Sequence, residues 1–384
     1  MMVYLDNGAT TPPDPRVVDA MEPFFREDFG NPSSAHALGA AAARAVRAAR
    51  ERLAEIVGAE PDEIVFTSGG TEADNLAIRG AALAASPRRR HALLSALEHP
   101  AVRDNKSYLE SQGFTVELVP CSKEGITDLH ALEELVRPME TSLVAVMHAN
   151  NEVGTIQDVA RIADYLTGAC PEAIFHVDAV QSFTRLPVRL RRLGATTIAI
   201  AAHKIHGPKG IGALIVKRGA KVRPILAGGG QERGMRPGTE NVAGIVGFGL
   251  AAHFAHETLE QDVARTAALR DRLLAGIHEH VDDVRLNGHR ERRLCNNLHI
   301  SFQGVRSETL LHMLEESLVY VSAGSACHAG SHGPSAVLKA MGWTEHEAAE
   351  WGTIRFTLSR MTTEEEIDRC IEVLKSVVPA ARSL

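Results

Sequence analysis

Several short apolar runs in this chain end on reactive or polar side chains. In an open parallel sheet, ligands bind beyond the carboxyl ends of the strands, so those endings are where chemistry is expected. The run TTIAIAA (196–202) is followed by His203-Lys204-Ile205-His206-Gly207-Pro208-Lys209. Burial disfavours a charged amine, so a lysine directly behind a buried strand has its lone pair freed for Schiff-base chemistry, and Lys204 is the candidate. Lys209 sits in a Gly-Pro turn and reads as solvated. The run AIFHV ends on Asp178, then Ala179-Val180-Gln181. A carboxylate there is costly unless paired. A magnesium ion, an arginine or the protonated ring nitrogen of a cofactor would pair it; capping a following helix is the plainer role.

The run EIVFT (63–67) leads through Ser68-Gly69-Gly70-Thr71-Glu72 into a helical pattern. Small residues opening a helix offer free N–H groups and the positive dipole end to an anion, a phosphate above all. A tight turn capped by Thr71 is the alternative. His99 follows HALLSA (91–96), as a structural or a functional imidazole, and Asn150-Asn151-Glu152 follows SLVAVMH (142–148). Paired amides anchor a carboxylate or phenolate oxygen, or simply turn the chain. Later, SAGSACHAGSHG (322–333) surrounds Cys327 with small residues plus His328 and His332. Such a run cannot pack as core, and a thiol beside imidazoles is a candidate for a lowered pKa. Arg355 lies inside the apolar run TIRFTL and needs an anion, from the protein or from a substrate carboxylate held bidentately. No Walker-type nucleotide loop is present, so phosphate cup and lysine do not read as an ATPase.

These residues must be held by a sheet. The strand-like runs TTIAIAA, AIFHVDA (173–179), EIVFT, HALLSA and SLVAVMH alternate with amphipathic stretches at 71–85, 100–112, 128–137 and 158–167, and TVELVP (115–120) and GALIVKR (212–218) complete seven. Continuous apolar strands suit a sheet buried on both faces, and strand–helix alternation predicts an α/β layer fold with right-handed crossovers. The last two runs are too close for a crossover helix, which predicts one antiparallel strand. An Ala-rich helix is expected over 37–57, with Ser33 or Ser34 as N-cap and Gly58 as C-cap. After Gly228-Gly229-Gly230 the chain reads as long helix over 243–280, then as a smaller α+β unit with strands at 297–302 and 352–359. The expected division is a large domain over 15–255 and a small one of 1–14 with 256–384.

The 384 residues are 45% apolar and 23% charged, ordinary for a folded soluble protein, and the length suggests about two domains. A net charge of −7 gives no basic footprint for nucleic acid, and the arginine runs at 88–90 and 189–192 read as solvated surface. No apolar stretch reaches the roughly 18 residues a membrane span needs, and the first residues lack a signal-peptide pattern. Five cysteines, at 121, 170, 295, 327 and 370, follow no repeated spacing, so neither disulfide framework nor zinc is expected, and a reducing cytoplasm is.

A phosphate cup, a carboxylate for a ring nitrogen, a strand-end lysine and a carboxylate-binding arginine are together the parts that pyridoxal phosphate and an amino-acid substrate require. The chain resembles the cysteine desulfurases of aminotransferase class V, among the fold-type I pyridoxal-phosphate enzymes. YLDNGATTPPDPRV, FGNPSSAH, FTSGGTEADNLAI, EHPAV, HANNEVG, HVDAVQ, HKIHGPKGIGAL, GGGQERGMRPGTEN, SAGSACHAG and IRFTLSR carry the resemblance nearly end to end. It implies pyridoxal 5′-phosphate held through a Schiff base to Lys204. Asp178 would meet the ring nitrogen, Gln181 the phenolate oxygen, and His99 the ring face. Gly70, Thr71 and His203 would bind the phosphate, joined by Thr239 from the other subunit of a homodimer. Asn151 and Arg355 would hold the carboxylate of L-cysteine. Cys327 would take its sulfur as a persulfide, leave L-alanine, and pass the sulfur to an acceptor protein, an iron–sulfur scaffold or another carrier. Two features depart from the pattern. Ala201 stands where many members have a phosphate-binding Ser, and His328 with His332 resembles the selenocysteine lyases, the second activity to be expected.

Overall fold

The computed structural model describes residues 1–323 and 334–383. Its strands are β1 (Val3–Tyr4), β2 (Ile64–Thr67), β3 (His91–Ser95), β4 (Thr115–Val119), β5 (Thr141–Ala145), β6 (Ile174–Asp178), β7 (Thr197–Ala201), β8 (Gly212–Val216), β9 (Val284–Leu286), β10 (Asn297–Gln303), β11 (Val319–Tyr320) and β12 (Trp351–Thr357). β2 to β8 form one seven-stranded sheet in the order β2-β8-β7-β6-β5-β3-β4. β8 alone runs antiparallel, to both β2 and β7, because the short link from 202 to 211 leaves no room for a crossover helix. The central strands β3, β5, β6 and β7 are buried at every position, as their unbroken apolar runs require.

The helix Ala37–Val57 forms where expected and ends on Gly58 in the left-handed conformation (φ 61°). Its N-cap is His36, not Ser33 or Ser34: the imidazole Nδ1 accepts from Gly39 N at 3.2 Å, while Ser34 N is already turned back onto Asn31 O. The expected long helix over 243–280 is two, Val242–Glu257 and Leu259–His280, broken at Thr258. The break has a packing cause. Ile245, Phe248, Ala251 and Ala252 join the core under the seven-stranded sheet. Leu269, Leu273 and Ile277 join a second core, with Leu298, Ile300, Phe302 and Phe356. That core lines the antiparallel sheet β12-β10-β9, backed by the helix Glu364–Arg382. Val3 and Leu5 belong to it too, since β1 pairs in parallel with β11.

The basic runs separate. Arg88, Arg189, Arg191 and Arg192 are exposed. Arg89 and Arg90 are only half exposed, contrary to expectation: Arg89 donates to the Thr141 and Pro138 carbonyls, and Arg90 lies over the Phe114 ring at 5.0 Å. Among the described residues, no helix is long and apolar enough to cross a membrane.

Candidate active site

At the carboxyl ends of β3, β5, β6 and β7 lies a cavity of about 280 Å³. Gly70 and Thr71, at the N-terminus of the helix Gly70–Ala84, form one wall. The first turn of a helix has amides with no partner inside the helix, so that wall presents partial positive charge. Gly70 lets the helix approach closely there, because a Cβ would stand 2.8 Å from Val180 Cγ2.

Asp178 ends β6 and is 7% exposed. Its Oδ1 accepts from Val180 N at 2.9 Å, so it turns the chain rather than capping a helix. Burial raises its pKa; His99, that N–H and Lys204 pull the other way. Such a carboxylate gains most from a cation delivered into the cavity. Lys204 closes a short turn after β7. Its Nζ donates to the carbonyls of Gly8 at 2.6 Å and Ala9 at 2.7 Å. Burial, with Arg355 and Arg185 adding to it, brings the amine down to about 8, so a usable fraction is uncharged near neutrality. Gln181 Nε2 donates to the same Gly8 carbonyl at 3.0 Å. His203 lines the wall with Nδ1 3.3 Å from Thr10 Oγ1, and burial lowers it to about 4. His99 caps the turn Pro100–Arg103 through Nδ1, which accepts from Ala101 N at 3.1 Å, and burial lowers its pKa as well.

Arg355 has a protein carboxylate, the first of its two expected anions. Nη2 meets Asp6 Oδ1 at 2.8 Å and Nη1 donates to the Asn151 carbonyl at 3.0 Å, yet the residue still lines the cavity. The two amides divide likewise. Asn150 is a turn residue, its Oδ1 accepting from Glu152 N and Val153 N, whereas Asn151 faces the cavity.

Gly70, Thr71, His99, Asn151, Asp178, Gln181, His203, Lys204 and Arg355 thus share one cavity. Thr239 is exposed and does not line it. Cys327, His328 and His332 lie outside the described residues. The chain on either side of them is tied to the site: Thr353 Oγ1 donates to the Ala323 carbonyl at 3.4 Å, Ser335 Oγ donates to Glu152 Oε2 at 2.6 Å, and Ala336 and Val337 line the cavity. Lys209 is exposed, as expected.

Sequence reasoning overlooked several lining residues. Gly8 and Ala9 contribute only carbonyls, which no side-chain motif announces. Asp74 stands one helical turn after Gly70, so the i, i+4 spacing carried the signal. Its Oδ1 lies 3.1 Å from His176 Nε2, whose ring sits two residues before Asp178 on β6. Burial drives Asp74 up, with Asp178 and Glu98 adding to it, and drives His176 down to about 3. Glu98 is also buried in the wall, held by Met147 N at 2.6 Å and driven up by burial and by Asp178.

The cavity suits pyridoxal 5′-phosphate on three counts. The helix opening at Gly70 would receive a phosphate, under-compensated Asp178 a protonated ring nitrogen, and the lowered amine of Lys204 an aldehyde.

Residues 3–370 match the aminotransferase class-V family. The cysteine desulfurase IscS of Dictyoglomus turgidum is 42% identical over 382 residues, covering all of this chain and 96% of that protein. A cysteine desulfurase of Nostoc sp. is 45% identical over 386 residues, covering all of this chain and 94% of its own. A solved NifS-like protein superposes with a TM-score of 0.92 at 38% identity, covering 99% of this chain and all of the other. The chain belongs to the aminotransferase class-V family, in the branch of the cysteine desulfurases.

Proposed function

We propose that the protein is a pyridoxal 5′-phosphate-dependent cysteine desulfurase, releasing L-alanine from L-cysteine and passing the sulfur through Cys327 to an acceptor protein. The observation that carries this reading is the meeting of Lys204, its amine near pH 8, with Asp178 in one cavity floored by a helix N-terminus.

Gly70 and Thr71 would hold the phosphate with His203 beside them, and Asp178 would meet the ring nitrogen, Gln181 the phenolate oxygen and His99 the ring. Bound there, the cofactor supplies an electron-withdrawing ring conjugated to the α-carbon of the amino acid. Arg355 and Asn151 bind the substrate carboxylate, Asp6 having already fixed the direction of the guanidinium. Lys204 takes the α-proton and returns protons to carbon, which its lowered amine pKa allows near neutral pH. The Cys327 thiolate attacks the substrate sulfur. The C–S bond breaks, a proton replaces sulfur on the β-carbon, and the enzyme keeps Cys327 as a persulfide.

Thr239, exposed and away from its own cavity, serves the phosphate site of a second copy in a homodimer. Residues 15–255 make up the cofactor domain, and 1–14 with 256–384 the smaller one. The free thiols of Cys121, Cys170, Cys295 and Cys370 suit a reducing cytoplasm, where an iron–sulfur scaffold or another sulfur carrier is the acceptor. Incubation of the purified protein with L-cysteine and a thiol reductant should give alanine and sulfide in equal amounts. With the reductant omitted, the persulfide should be trapped on Cys327 alone. A protein inert toward cysteine would sink the reading.

A further inference from the structure

A second cavity, of about 40 Å³, lies beside the main chain of Lys204, lined by Arg185, Cys295, Asn296, Asp262 and Arg360 among others. Arg185 has no role in the chemistry described so far. Among the described residues its guanidinium makes no ion pair with a carboxylate. Instead Nη1 donates to the Gln181 carbonyl at 2.8 Å and Nη2 to the Lys204 carbonyl at 2.7 Å. Those carbonyls belong to the loops after β6 and β7, parallel neighbours in the sheet. On the opposite side, the side chains of the same two residues converge on the Gly8 carbonyl.

We infer that Arg185 is a positioning residue for Lys204 and Gln181, clamping their main chains from outside the site and standing as a fixed cation behind the amine. The inference rests on the proposed desulfurase reading for its kinetic arm only. A planar fork suits the task, since two donors in fixed geometry reach two acceptors at once. Arg185 also acts on the Lys204 amine through space. Burial is the main cause of that amine's lowered value, followed by Arg355 from β12 and then Arg185, while Asp6 and Asp178 oppose them. His203, the residue before it in the chain, and His99 face the amine as well; burial lowers His203 to about 4 and pushes His99 down too.

The test is the pH dependence of Lys204 acylation in the cofactor-free full chain. Acetic anhydride is the probe, read by mass on the Lys204 peptide. In Arg185→Gln, or Arg185→Met should the first not fold, the midpoint should move upward by about half a pH unit, a roughly threefold loss of free amine at pH 7. Arg185→Lys keeps the charge but not the fork, so it should return the midpoint toward the wild-type value while the loaded enzyme keeps part of the kcat loss. In the loaded enzyme, the neutral variants should lose about tenfold in kcat for L-cysteine with KM nearly unchanged. A neutral variant whose Lys204 labels like wild type overturns the inference, as does a Lys variant no better than the neutral ones. A protein that forms no alanine yet shows the shift refutes the desulfurase reading and leaves the clamp standing.

Discussion

Asp178 and Lys204 depart from their ordinary titration in opposite directions for one reason, loss of water around a charge. Each is disposed to accept what the other cannot supply: Asp178 a cation at the ring nitrogen, Lys204 a carbonyl carbon. Asp178→Asn should therefore keep the cofactor in the cavity but lose turnover by about 100-fold, because an amide cannot stabilise positive charge at that nitrogen. Alanine formation near the wild-type rate would show that Asp178 faces something else. Hydride reduction of the yellow protein should fix the cofactor on the Lys204 peptide and leave exposed Lys209 unlabelled. Both residues were legible in sequence because a charged residue closing a buried strand stands out against its run. Asp74 was less so, since its spacing from Gly70 is that of any amphipathic helix and its partner His176 lies 102 positions away. Arg185 was hidden for a similar reason: its partners are carbonyls, which every residue has.

At the scale of elements, the site depends on how closely the helix Gly70–Ala84 approaches the loop after β6. Gly70→Ala would press a methyl against Val180, 2.8 Å from its Cγ2, and push the first turn away from the phosphate position. Its dissociation constant for pyridoxal 5′-phosphate should rise by about tenfold, the loss of one good hydrogen bond. Adding Val180→Ala should recover most of it; a double variant as weak as the single one would mean the contact is not the cause. Strands and crossover helices were readable because apolar runs and helical periods are local signals. The Thr258 break was not, because an apolar helix and an amphipathic one run together in sequence and differ only in which core receives them. Nor was His36 as a cap, since imidazole nitrogen is an uncommon substitute for a hydroxyl or carboxylate there.

Across the molecule, two cores meet at the site, and the strand β10 shows what that costs. His299 is fully buried opposite Arg355, with Nδ1 accepting from Asn287 Nδ2 at 2.9 Å. Burial, with Arg355 and Arg293 nearby, lowers it from 6.5 in the open chain to about 3. Below pH 6.5 the unfolded chain therefore takes up a proton that the folded one refuses, and stability falls as pH drops through that window. His299→Gln removes this contribution. Its loss of unfolding free energy between pH 7 and pH 5 should be smaller than wild type's by about 1–2 kcal/mol. Parallel urea midpoints for the two proteins over that range would mean His299 is charged in the fold.

The Gly8 contacts carry a consequence of timing. Gly8 N donates to Thr357 Oγ1 across 349 positions, and its carbonyl receives Lys204. During synthesis, residues 3–8 emerge long before β11 and β12 exist to hold them. The large sheet can close while the ribosome is still working, but the acceptors for the lysine amine arrive only when the second core has formed around the chain's opening strand. A nascent chain halted after residue 300 should therefore protect the seven-stranded sheet from proteolysis while leaving residues 3–8 open to cleavage.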